Sequence, residues 1–239
     1  RMDNLLRAID PRLPPGEITI ASGAKPLPKK VPIGDLFTEG RAVGTIFLGL
    51  ILYFGFATTT VIVLQTPTLF RQAGVPLATS AFLVAMYSVV ATIGMAVAGL
   101  MLQRFGPLRA IFAPFVGGAI LVAGLGYVAS SPFAAGAVMM MLGLTVSLAT
   151  SGAIALTAAS YPTAMRSAAA GWVMSLGRLG QVCSPLVIGA MLYYGLPPGR
   201  ILSVMALAPL GAGLCALMRA KSGPARVAND GTLESKNPA

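Results

Sequence analysis

Arg178 is the side chain in this sequence most able to do chemistry. It stands in an apolar run from Ser167 to Tyr193, with Ser175 one helical turn before it and Gln181 one turn after. A helix over this run brings hydroxyl, guanidinium and amide onto one face. Arg178 is 11 residues into the run, or about 16 Å at helical rise, near the middle of a bilayer core about 30 Å thick. An arginine at that depth costs at least about 2.5 to 3.5 kcal/mol, so it faces a wet cavity or a partner. No Asp or Glu lies between Arg41 and Arg219, so no carboxylate in the apolar runs is that partner. Two readings stay open. A guanidinium matches a carboxylate bidentately, so Arg178 could bind a small organic anion, with Gln181 and Ser175 orienting it. Alternatively, Arg178 is structural, paired with an acid on a partner domain or with backbone carbonyls.

Other chemistries lack their groups. The chain contains no histidine, which excludes Ser-His-Asp and Cys-His nucleophile pairs, histidine metal ligation and a histidine proton relay. A serine-lysine dyad would need a lysine inside the apolar runs, and there is none. Cys183 and Cys215 both fall in apolar stretches and read as small buried hydrophobes, not as a disulfide framework. The expectation is a chain that is not an enzyme and holds neither metal nor cofactor.

The elements that must position Arg178 follow from composition. Of 239 residues, 56% are hydrophobic and 10% charged, against about 25% charged in a soluble domain, and the mean hydropathy is +0.80. A transmembrane helix needs about 20 apolar residues. Six segments approach or exceed that length: Val43 to Leu64, Thr79 to Leu102, Leu108 to Ala129, Phe133 to Ala155, Ser167 to Tyr193 and Ile201 to Met218. Breaks at Gln72–Pro76, Gln103–Pro107, Ser130–Pro132, Tyr161–Thr163 and Gly195–Gly199 separate them. The expected layout is a proline-rich linker over 1–42, an all-α membrane domain of six transmembrane helices over 43–219, and a polar tail over 220–239.

Charge fixes the expected orientation. Six crossings put 14 basic residues on one side, against Arg71 and Arg200 on the other; by the positive-inside bias both termini lie in the cytoplasm. The net charge of +10 therefore reads as topology and not as a nucleic-acid surface, since the cations recur between apolar runs instead of forming one patch. The chain begins at Arg1 and shows no signal peptide, so the expectation is a C-terminal piece of a longer protein.

Helices in lipid associate through small residues. Gly143, Ser147, Ser151, Ala155 and Ala159 make such a stripe in the fourth segment, and Gly171, Ser175, Gly177, Gly180 and Ser184 another in the fifth. The fourth-segment stripe reads as plain packing. Pro114, Pro185 and Pro209 interrupt three segments and Pro67 is expected to end the first. Such breaks suit carriers that rock about a central site and also suit ordinary packing kinks.

Three stretches, taken in order, resemble the C-terminal half of a major facilitator superfamily transporter. Gly99-Leu-Met-Leu-Gln103-Arg104-Phe105-Gly106-Pro107-Leu108-Arg109 is similar to the second copy of that family's signature loop, with Gln103 where the pattern carries an acid. Positive-inside anchoring would account for Arg104 and Arg109 on its own. Tyr161-Pro162-Thr163 with Arg166, leading into Gly171-Trp172 and Gly177-Arg178, resembles the aromatic acid:proton symporter branch, as does Leu36-Phe37-Thr38-Glu39-Gly40-Arg41.

The resemblance implies one half of a twelve-helix fold, built as 3+3 inverted repeats around a cavity. It implies proton-coupled uptake of a small aromatic carboxylate, such as a hydroxybenzoate, across the bacterial inner membrane by alternating access. Arg178, Gln181 and Ser175 would bind the anion, and the loops carrying Gly99, Arg104, Gly106, Arg109 and Arg166 would close the cytoplasmic side. An N-terminal six-helix half would supply the proton-coupling carboxylates. The alternatives are a carrier of the same superfamily for another small metabolite, and a membrane assembly subunit that transports nothing.

Overall fold

The computed structural model describes residues 42–72, 74–128, 131–163 and 165–221. The linker expected over 1–42 and the tail expected over 220–239 lie outside these residues, apart from Ala42, Ala220 and Lys221, which are helical. The Leu36–Arg41 stretch lies outside them as well.

Every element among the described residues is helical. α1 (Ala42–Thr60) runs through a π-helical turn (Val61–Gln65) into α2 (Thr66–Gln72). α3 (Leu77–Val128), α4 (Pro132–Ser160), α5 (Arg166–Tyr193), α6 (Pro198–Met205) and α7 (Leu207–Lys221) follow. Five helical runs are long and apolar enough to cross a membrane, with α1–α2 and α6–α7 each counting as one. Their outward residues, among them Phe82, Val89, Ile120 and Leu186, are exposed and apolar.

Three features of the helices, two of them departures from the sequence expectation, have local causes. Pro67 does not end the first segment; the chain stays helical to Gln72. A proline cannot donate to the carbonyl four residues back and its ring crowds that group. The π-helical turn just upstream widens the helix there, and both the backbone N–H and the hydroxyl of Thr66 reach back to the Val61 carbonyl, the hydroxyl at 3.3 Å. In the last segment Pro209 acts in the opposite sense. It leaves the Met205 carbonyl without its helical donor, and the helix breaks between α6 and α7 at Ala206.

The other departure is α3, a run of 52 residues that leaves helical geometry only at Gly106 (φ 78°, ψ 159°). A straight rod of that length would reach about 78 Å, but α3 is bent double. A β-carbon at Gly94 would lie 2.7 Å from the Leu144 carbonyl oxygen, and one at Gly118 would lie 3.1 Å from Val146 Cγ2. Leu144 and Val146 are neighbours on α4, whereas Gly94 and Gly118 would be about 36 Å apart on a straight helix. The two arms of α3 therefore flank the same turn of α4.

Packing falls into two apolar clusters. One gathers Leu69, Phe70, Leu125, Met139 and Ile201, and the other Leu48, Ile111, Phe115, Tyr161 and Ala212. Small residues set the close approaches. A β-carbon at Gly180 would collide with the Tyr53 carbonyl oxygen, one at Gly177 would sit 2.8 Å from the Phe56 ring, and one at Gly143 would sit 2.5 Å from the Tyr87 carbonyl oxygen. These contacts draw α5 onto α1 and α4 onto α3.

Candidate functional site

Where the two clusters meet, four helices border an open cavity of about 390 Å³. α1 supplies Phe56 and Thr59; the first arm of α3 supplies Tyr87, Ser88 and Thr92; α4 supplies Ser147, Thr150 and Ser151; α5 supplies Gln181. The residue types are unusual for the middle of an apolar bundle, because seven of the twelve lining residues carry a hydroxyl. Among the described residues, no charged side chain lines it.

Most of these hydroxyls are committed to their own helices. Thr59 donates to the Gly55 carbonyl at 3.1 Å, Ser88 to Val84 at 2.9 Å, Thr92 to Ser88 at 3.1 Å and Thr150 to Val146 at 2.7 Å. Each satisfies its donor locally and leaves oxygen lone pairs for the cavity. Tyr87 is different. The residue is 2% exposed, and its hydroxyl lies near enough to those of Ser147 and Thr59 to interact with them but closes no hydrogen bond within 3.5 Å among the described residues.

Of the three residues expected to bind an anion, Gln181 lines the cavity. Arg178 is exposed and does not line it; it lies about 60° around α5 from Gln181 and about 4.5 Å along the axis. None of the described residues forms an ion pair with Arg178. Ser175 is exposed on the same helix, its hydroxyl turned back to the Gly171 carbonyl at 2.8 Å. Pro185 frees the Gln181 carbonyl from its helical donor, and the Ser184 hydroxyl approaches that oxygen at 3.5 Å.

The expected loop residues gather at one end of the bundle. Gly106 makes the turn between the arms of α3 with a positive φ. Arg104 lies 5.7 Å above the Phe105 ring, and Gly99, Arg104, Arg109 and Arg166 are all exposed. Pro107 and Leu108, just past the turn, share a 220 Å³ pocket with Leu156 of α4 and Arg219 of α7. Arg219 donates to the Ser160 hydroxyl at 2.5 Å, and Tyr161 hydrogen-bonds Thr45 of α1 at 2.7 Å. The start of α1, the Gly106 turn, the α4–α5 turn and the end of α7 thus share an end. Among the described residues, no group of His, Cys, Asp and Glu is placed to hold a metal ion.

Residues 46–237 match the Major Facilitator Superfamily. The chain belongs to this superfamily. With its long apolar helices it is a multi-pass membrane protein. It is 27% identical over 190 residues to a gallate transporter of Pseudomonas putida, covering 79% of this chain and 42% of that one. It is 29% identical over 164 residues to the 4-hydroxybenzoate transporter PcaK of Acinetobacter baylyi, covering 69% and 36%. Against the PcaK of Pseudomonas aeruginosa identity is 22% over 172 residues, covering 72% and 38%. The chain spans about two fifths of the length of these curated relatives.

Sequence reasoning missed most of this superfamily chain's hydroxyl wall. Ser147 and Ser151 stood in view as part of a small-residue stripe; Gly143 of that stripe is a close helix contact, and the two serines line the cavity. Tyr87 left a fainter signal. It falls on the same helical face as Ala91 and Gly94, and all three are buried, which marks that face as one turned to another helix and not to lipid.

Proposed function

We propose that this chain is the second six-helix half of a Major Facilitator Superfamily carrier that takes up small aromatic carboxylates with protons by alternating access. The observation that carries the reading is the hydroxyl-lined cavity shared by α1, α3, α4 and α5, with Gln181 in its wall and the guanidinium of Arg178, which has no ion-pair partner among the described residues, on the adjoining face of α5. The relatives' names, gallate and 4-hydroxybenzoate transporters, support the substrate class.

In this proposal α3 crosses the membrane twice, turning at Gly106, and the six crossings form two inverted groups of three around the cavity. The end bearing Arg104, Arg109, Arg166 and Arg219 is cytoplasmic under the positive-inside bias, in a bacterial inner membrane, with both ends of this chain on that side. Arg178 binds the carboxylate bidentately, and Gln181 and Ser175 orient it. The loops carrying Gly99, Arg104, Gly106, Arg109 and Arg166 close the cytoplasmic side. An N-terminal half provides the opposing wall and the carboxylates that take up the proton, since the apolar runs of this chain contain no acid.

The test is uptake of labelled 4-hydroxybenzoate by the full-length protein. A hydrogen bond to a charged group contributes about 1.5 to 3 kcal/mol, so Arg178→Ala should raise KM by about 10- to 150-fold. Arg178→Lys should recover only part of this, because an ammonium cannot present a planar fork. Unchanged uptake of every aromatic acid in both variants would refute the role of Arg178.

A further inference from the structure

We infer that the cavity wall built by this chain binds a ring hydroxyl of the aromatic acid and not its carboxylate, and that Tyr87 selects for that hydroxyl. The inference rests on the transport reading above and adds the orientation of the substrate and the residue that sets its specificity.

The argument is a balance of donors and acceptors. Thr59, Ser88, Thr92 and Thr150 have each given their proton to a backbone carbonyl of their own helix, so toward the cavity they offer lone pairs. A carboxylate is acceptor-only and would meet these four acceptors and, among the described residues, no cation, with only Tyr87, Ser147, Ser151 and Gln181 left to donate. A phenolic hydroxyl both donates and accepts. It can donate to Thr59 and accept from Tyr87, whose hydroxyl is buried without a partner beside Thr59 and Ser147.

The unpaired Tyr87 hydroxyl is the second observation that points to a ligand. A buried polar group without a partner is unfavourable and native structures rarely keep one. Its retention in a cavity of about 390 Å³ fits a group that the substrate completes. An acid that lacks the ring hydroxyl leaves Tyr87 unpaired, whereas one that carries it gains that hydrogen bond. The carboxylate end then points away from the hydroxyl wall, past Gln181 toward Arg178.

The experiment compares uptake of labelled 4-hydroxybenzoate and labelled benzoate by the full-length protein, wild type and Tyr87→Phe, at matched membrane abundance. Wild type should favour 4-hydroxybenzoate. Loss of one hydrogen bond should raise its KM about 2- to 12-fold in Tyr87→Phe, with KM for benzoate unchanged or lower. Thr59→Val, which keeps the side-chain shape and removes an acceptor, should give the same split and decides the matter should Tyr87→Phe fail to reach the membrane. Equal changes for both acids, or no change for either, would overturn the inference while leaving the transport reading intact. Uptake of neither acid by the wild type would overturn the transport reading and this inference with it.

Discussion

At the scale of single residues, a buried hydroxyl left unpaired costs about 1 to 3 kcal/mol, and a glycine held where other residues are strained represents a similar outlay. Tyr87 is the first kind and Gly106 the second. With φ 78° and ψ 159°, Gly106 occupies a region open in practice to glycine alone. Gly106→Ala should therefore destabilise the chain by about 1 to 3 kcal/mol, read as a lower midpoint of thermal unfolding in detergent. An unchanged midpoint would mean that the turn tolerates a side chain and that glycine is not required by the backbone. Arg178 was legible in the sequence because a charge deep in an apolar run is conspicuous whatever surrounds it. Ser175 was legible as a polar residue on the Arg178 helix, but not as one whose proton is bound to the Gly171 carbonyl. Tyr87 was not singled out, since a tyrosine in an apolar run is unremarkable until neighbouring helices bury its hydroxyl.

At the scale of elements, approach between helices is set by what is missing at the contact. Gly180 admits the Tyr53 carbonyl oxygen, which leaves no room for a methyl group. Gly180→Ala should push α5 off α1 at a cost of about 1 to 3 kcal/mol, with less protein surviving detergent extraction in monodisperse form. Gly171→Ala is the control, because a β-carbon there meets nothing within 4 Å. Equal survival of the two variants would contradict this packing. Segment positions could be read from apolar runs and from their Gly and Pro punctuation, and the non-helical stretches at 74–76, 161–163 and 195–197 fall where that punctuation placed them. The effects of individual prolines could not. Pro67 is absorbed by a π-helical turn, whereas Pro209 follows a break, because the outcome depends on which neighbouring groups can satisfy the freed carbonyl.

At the scale of the whole molecule, the two apolar clusters lie to either side of a polar level that holds the cavity. The first cluster includes Tyr87 and Ala91 of its wall, and Ile154 of its wall packs against the second. Exposed cations gather with the Gly106 turn and the α4–α5 turn. In the proposed carrier this is the arrangement that rocking requires, with firm ends and a wettable middle. This chain's apolar runs contain no acid, so in the proposed carrier the driving proton is taken up elsewhere in the full-length protein. The most direct measurement is accumulation of 4-hydroxybenzoate by the full-length protein in proteoliposomes under an imposed inward proton gradient. The account predicts uptake above the external concentration that collapses when a protonophore is added. Entry no faster than into protein-free vesicles, with or without the gradient, would contradict it.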